Sequence, residues 1–137
     1  MKTIKLISLL AAMFISANIM ASNPNVKVLS NIENTSMGYT KVLTSYDEIT
    51  STPLQKVSYQ YDNSDNILEK VVYKWSGKQG WVGSQKINYQ YNAQNEPVSI
   101  VYTKWDNKAK SWSNKSEQMN YSYCDEGNVS VSVSDVK

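Results

Sequence analysis

Three Tyr-x-Tyr pairs recur along the chain, Tyr59 with Tyr61, Tyr89 with Tyr91 and Tyr121 with Tyr123, in steps of 30 and 32. Tyr73 and Tyr102, Trp75 and Trp105, and Trp81 and Trp112 step by 29, 30 and 31. Markers that keep one period in this way define a tandem motif. A motif this short buries its apolar face only by lying against its neighbours.

Each unit reads as strand, turn, strand, turn. In "VSYQY", Val57, Tyr59 and Tyr61 fall on one side and Ser58 and Gln60 on the other, the period of two that a half-buried strand requires. "NVSVSVSDV" sets Val129, Val131 and Val133 against serines in the same way. The stretches "DNSDN", "SGKQG", "NAQNEP", "DNKAKS" and "DEGN" supply residues that tolerate turn dihedrals. Closely spaced turns of this kind join consecutive antiparallel hairpins. The sequence therefore predicts an all-β fold, an antiparallel β-meander of about seven strands built from hairpin repeats of about 30 residues. The strands are expected near 39–47, 54–62, 67–75, 81–92, 98–105, 112–124 and 128–135. The only helical hint is a single turn over Asn31 to Ser36.

The repeats slip in two places. Tyr73 and Trp75 are two apart, but Tyr102 and Trp105 are three apart; Trp81 precedes Tyr89 by eight positions, but Trp112 precedes Tyr121 by nine. One β-bulge near Thr103 or Lys104 and another between Ser113 and Glu117 would restore the facing. Otherwise Trp105 and Trp112 point outward.

The segment 1–21 reads as a cleavable signal peptide, with Lys2 and Lys5 ahead of an apolar run from Leu6 to Ile19 and a cleavage site after Ala21. Asn18 and Ser22 break that run too early for a membrane anchor. The expected domain is then 22–137, an N-terminal segment over 22–53 followed by repeats over 54–137, with a secreted, periplasmic or cell-surface location and no membrane span. Cleavage removes two of 14 lysines and leaves 12 against 12 acids, with no arginine or histidine. A neutral chain whose lysines alternate with acids is a poor nucleic-acid binder, because that binding draws on clustered positive charge.

Tyr and Trp together number 14 in this domain against 24 of Ile, Leu, Val and Met, so its interior is expected to be largely aromatic. The rings have two readings. As cross-strand pairs they hold the sheet together. As exposed platforms, Trp75, Trp81, Trp105 and Trp112 would stack on the apolar faces of sugar rings while neighbouring Asn, Gln and Asp bond the hydroxyls. Lys74, Lys104 and Lys110 are candidate cation–π partners for the rings.

Catalytic and metal constellations are scarce. Without histidine there is no Ser-His or Cys-His nucleophile and no zinc site of the usual type. Asp62, Asp65, Glu96, Asp106, Asp125 and Glu126 fall in predicted turns, and Glu69 and Glu117 at solvent-facing strand positions. "DNSDN" opens like a calcium loop but has Ile67 where that loop needs Gly and Tyr73 where it needs Glu. Cys124 is expected as a small, partly buried strand residue. No catalytic residue, metal site or cofactor is assigned, and the protein is expected not to be an enzyme.

Tyr-x-Tyr-Asp at Tyr59 to Asp62, Tyr73 with Trp75, Trp81, and Tyr121 with Tyr123 followed by "CDEGN" resemble a family of small secreted proteins of unknown function from gut Bacteroides-type bacteria. The likeness covers 54–134. More distantly, "YQYDNSDNILEKVVY" is similar to the tyrosine-aspartate repeats of RHS toxin and teneurin shells, although Asn92 replaces Asp62 in the second unit and turn glycine is missing except at Gly127. The resemblance implies export and β structure and no known catalytic residues. The expected function is an exported, non-enzymatic module acting through its surface on a glycan or a protein at the cell envelope. The alternative is a structural or assembly protein pairing through its edge strands.

Overall fold

The computed structural model describes residues 25–125 and 127–137. Its eight strands are β1 (Val26–Thr35), β2 (Gly38–Asp47), β3 (Pro53–Tyr61), β4 (Ile67–Ser76), β5 (Gly80–Tyr91), β6 (Pro97–Asp106), β7 (Ser111–Tyr123) and β8 (Val129–Val136). They form one antiparallel sheet in the order β1-β2-β3-β4-β5-β6-β7-β8. The seven expected strands correspond to β2 through β8 and agree at every boundary to within a single position.

The eighth strand is a correction. β1 occupies the stretch where a turn of helix was expected, and it pairs without interruption from Val26 opposite Asp47 to Thr35 opposite Gly38. Ser36 and Met37 make the tight turn. Gly38 has φ 138°, and a side chain there would collide with the backbone of Tyr61 and Asp62. That glycine lets the start of β2 lie close against the end of β3. The expected signal peptide and its cleavage after Ala21 lie outside the described residues.

Residues directly opposite in antiparallel strands point to the same face, so the registers sort the side chains. One face carries the tyrosines. Tyr59 lies opposite Lys41 and Lys70, Lys70 opposite Ile87, and Ile87 opposite Tyr102. The next row runs from Tyr89 to Ile100 to Met119 to Val133. The core sits on this face as a cluster of Ile87, Tyr89, Ile100 and Tyr121, flanked by Ile67, Tyr91, Tyr102, Met119, Tyr123 and Val129. Among the described residues no second sheet covers this layer; long rings lying along the surface do the covering instead. Tyr39 stacks on Tyr61 at 4.6 Å between centroids, and Tyr59 and Tyr61 lie 6.2 Å apart.

The repeat also shows what one position tolerates. Lys70 and Ile100 hold matching places in successive units and sit between the same kinds of neighbour, and both are buried, at 4% and 2% exposure. Lys70 lies with its ammonium 5.5 Å from the Tyr59 ring centroid, and burial lowers its pKa.

The repeat is clearest at the turns of one sheet end. Asp62 and Asn92 do the same work: Asp62 Oδ1 accepts from the N–H of Ser64 and Asn66, and Asn92 Oδ1 from the N–H of Gln94 and Glu96. Each turn closes with Asp65 or Asn95 in the left-handed region, at φ 62° and 60°, and the third with Gly127 at φ 73°. Asp and Asn tolerate that conformation, which is why these turns form without glycine. Neighbouring turns are tied together as well. Tyr91 Oη donates to Ile67 O at 2.8 Å, Tyr123 Oη to Pro97 O at 2.6 Å, and Asn66 Nδ2 to Asn95 Oδ1 at 2.9 Å. The second tyrosine of each of these pairs thus lashes its hairpin to the one before.

Candidate functional site

The opposite face carries the tryptophans. Trp75 on β4 lies opposite Trp81 on β5, and Trp105 on β6 opposite Trp112 on β7, beside the two hairpin turns at the other end of the sheet. The pairs share one geometry: centroids 5.2 Å apart with interplanar angles of 72° and 88°, edge to face. The structure therefore brings all four candidate residues to one face and one end. Trp75 is the most open at 37% exposure, and the other three are half-buried.

Two irregularities place them there. Between Val72 and Tyr73 the register with β5 shifts by one position, so Tyr73 faces Gly83 and Trp75 faces Trp81. Between Thr103 and Trp105 the shift falls on β7, which holds extra residues between Trp112 and Ser116. That second irregularity lies where the sequence placed it. The bulge expected near Thr103 or Lys104 is a correction: Lys104 keeps its place opposite Gln85, and β6 alternates regularly through Tyr102, Thr103 and Lys104. Tyr102 is consequently on the tyrosine face and Tyr73 on the tryptophan face, so their nearly periodic spacing does not make them equivalent.

Gly83 holds a packing role that periodicity alone does not reveal. The indole of Trp105 occupies the space directly above it; a Cβ there would collide with the ring, with Cδ2 only 2.9 Å away. The missing side chain lets Trp105 lie over β5. Lysines cover part of the rings. Lys56 Nζ lies 4.6 Å from the Tyr73 centroid and 5.0 Å from that of Trp81, and Lys86 Nζ lies 5.1 Å from that of Trp112. Of the lysines expected from sequence, Lys104 lies over Tyr102 at 5.7 Å, on the tyrosine face.

Beyond the tryptophans, the same face continues with hydrogen-bonding side chains. Thr103 and Ser116 share a 2.7 Å hydroxyl bond, and Gln118 Nε2 donates to Ser99 Oγ and Asn120 Oδ1, both at 2.9 Å. Asn88 Nδ2 donates to Glu69 Oε2 at 2.9 Å, so Glu69 is engaged and not simply facing solvent. Such a face offers flat rings and polar amides. It holds no pair of carboxylates poised on a common point among the described residues.

On the tyrosine face, a shallow depression of about 340 Å³ is lined by Tyr102, Lys104, Glu117 and Asp135 among others, with mixed charge. Among the described residues no group of three His, Cys, Asp or Glu side chains could hold a metal ion, and no helix is long and apolar enough to cross a membrane. Cys124 corrects another expectation. It is exposed and lies in the turn after β7, where its N–H donates to Asn128 O.

The fold and this face define an all-β, single-sheet meander with aromatic rings at one end. The chain belongs to the Family of unknown function (DUF3836), whose model matches residues 1–131. It is similar to the crystal structure of a DUF3836 family protein from Parabacteroides distasonis ATCC 8503, at 20% identity and a TM-score of 0.45, over 80% of this chain and 90% of that one. A DUF3836 family protein from Bacteroides vulgatus ATCC 8482 matches at 22% identity and a TM-score of 0.43, over 62% and 87%. A protein of unknown function from Bacteroides fragilis NCTC 9343 matches at 15% identity and a TM-score of 0.45, over 84% and 94%. No curated protein matches the chain.

Proposed function

We propose that this protein is an exported, non-enzymatic module that binds a glycan at the cell envelope through its tryptophan face. The observation that carries the reading is the convergence of Trp75, Trp81, Trp105 and Trp112 on one face and end, in two edge-to-face pairs beside a field of amides and hydroxyls. In an edge-to-face pair the edge ring is held upright and rigid, so an indole is presented to a ligand with little ordering left to do. An apolar sugar face would lie against the rings while Asn88, Gln118 and Asn120 meet its hydroxyls. Lys56 and Lys86 lie over rings of this face, whereas Lys78, Lys108 and Lys110 stand exposed in the two adjoining turns.

Retention on a polysaccharide array tests this. Trp75→Ala removes the most exposed ring and should abolish retention while the thermal midpoint stays near that of the parent. Parent protein that is retained by no polysaccharide would overturn the reading, and so would retention unaffected by Trp75→Ala.

A further inference from the structure

An open meander has two edges, and each presents a row of unpaired backbone N–H and C=O groups to which another strand can add. Among the described residues the edges are β1 and β8. Both run without a bulge against their inner neighbours, so neither is twisted away from a partner. They differ in what their side chains specify.

In β8 the segment Val129–Ser134 alternates valine and serine, so a second strand could slide along it two positions at a time and find valine opposite valine each time. β1 reads VKVLSNIENT, and its pattern inverts about Ser30. Laid antiparallel on a copy of itself with Ser30 opposite Ser30, it sets Lys27 opposite Glu33, Val28 opposite Ile32 and Leu29 opposite Asn31. Each such pair occurs twice, because the operation is a two-fold rotation. Val28 and Ile32 both lie on the tyrosine face, at 51% and 58% exposure, so they would extend the aromatic surface apolar against apolar. Lys27 and Glu33 both lie on the other face and would meet as opposite charges. A shift of two positions in either direction breaks the charge pairing.

We propose that β1 is a dimerisation edge, pairing antiparallel with β1 of a second copy in the register centred on Ser30 and giving one continuous sheet of two protomers. The two-fold axis stands perpendicular to the sheet, so both tryptophan faces point the same way. The inference does not rest on glycan binding, and it stands or falls by assembly alone.

Charge reversal tests the register directly. Protein is recovered from the expressing cells in processed form, since a leader joined ahead of Val26 would adjoin the edge. Its mass is followed by sedimentation across concentration, with circular dichroism reporting the fold. The parent should form a dimer that weakens with salt. Lys27→Glu and Glu33→Lys, each placing like charges opposite one another twice, should weaken it about tenfold or more, and the double variant should restore it. Val133→Lys on β8 should leave it unchanged. A parent that stays monomeric at high concentration overturns the proposal. So does a dimer indifferent to the single reversals, a double variant that does not recover, or an assembly that Val133→Lys abolishes.

Discussion

Alkali should unfold this protein through its tyrosines. Tyr89 is buried at 8% exposure, and burial first, then the neighbouring phenols of Tyr91, Tyr59 and Tyr61, raise its pKa far above the ordinary 10.0. Burial raises those of Tyr59, Tyr61, Tyr73, Tyr91, Tyr121 and Tyr123 as well. Below pH 10 the folded and unfolded chains both hold these protons, and stability is unaffected. Above it the unfolded chain releases protons that the folded chain keeps, so stability falls with rising pH until the folded pKa is reached. For Tyr89 alone the loss is about 1.4 kcal/mol at pH 11, growing by about as much again with the next pH unit. A domain of this size holds on the order of 5–15 kcal/mol in all, so a few such tyrosines acting together suffice to unfold it. The phenolate absorbance band and far-ultraviolet circular dichroism, followed in one pH titration, should change together in a steep transition. Tyr89→Phe should make the fall of stability above pH 10 shallower, whatever it does at neutral pH. Tyrosines that ionise independently near pH 10 while the sheet signal persists would refute the reasoning.

Three further outcomes follow from the packing and the turns. Gly83→Ala forces the Trp105 ring from its seat and should cost about 1–3 kcal/mol, as overpacking does, with a change in tryptophan fluorescence; an unaltered spectrum and midpoint would count against the seat. Asp62 is held below its ordinary 3.8, first by the Asn66 side chain and then by backbone N–H groups, so its contribution is present above that value and lost as pH falls through the lower folded one; Asp62→Asn, the residue of the second turn, should flatten the acid limb of stability below about pH 4, followed by thermal melts across pH. Tyr123→Phe removes the bond to Pro97 O and should lower stability by about 0.5–1.5 kcal/mol by chemical denaturation, with hydrogen exchange loosening most at the β6–β7–β8 end.

Much of this architecture is written in residue types. Tyr59 with Tyr61 and Val131 with Val133 alternate because one face of their strands is apolar, and Asp62, Asn92 and Gly127 mark turns because the backbone there needs an acceptor or a left-handed residue. β1 escapes that logic. It is an edge strand exposed along nearly its whole length, so nothing compels its residues to alternate, and "NIENTS" looks like the start of a helix. The four tryptophans were legible as a group, but not their common face, because that depends on one extra residue in β5 between Gly83 and Gln85, which puts Trp81 on the face opposite Tyr89 although the two are eight positions apart. Lys56 and Lys86 reach Trp81 and Trp112 from two strands away, at separations no local spacing encodes. Gly83 matters only because of a ring carried by the following strand, beyond a whole intervening hairpin turn.

Among the described residues, contacts of substance run only between strands consecutive in sequence. Such a sheet has no keystone: a hairpin could be added or removed by duplication or deletion of some thirty codons, leaving the remaining interfaces intact. Tension applied at its two outer margins would peel hairpins away one after another, in the manner of a zip fastener, so the length of the molecule is open to evolutionary adjustment in a way that a closed barrel's circumference is not.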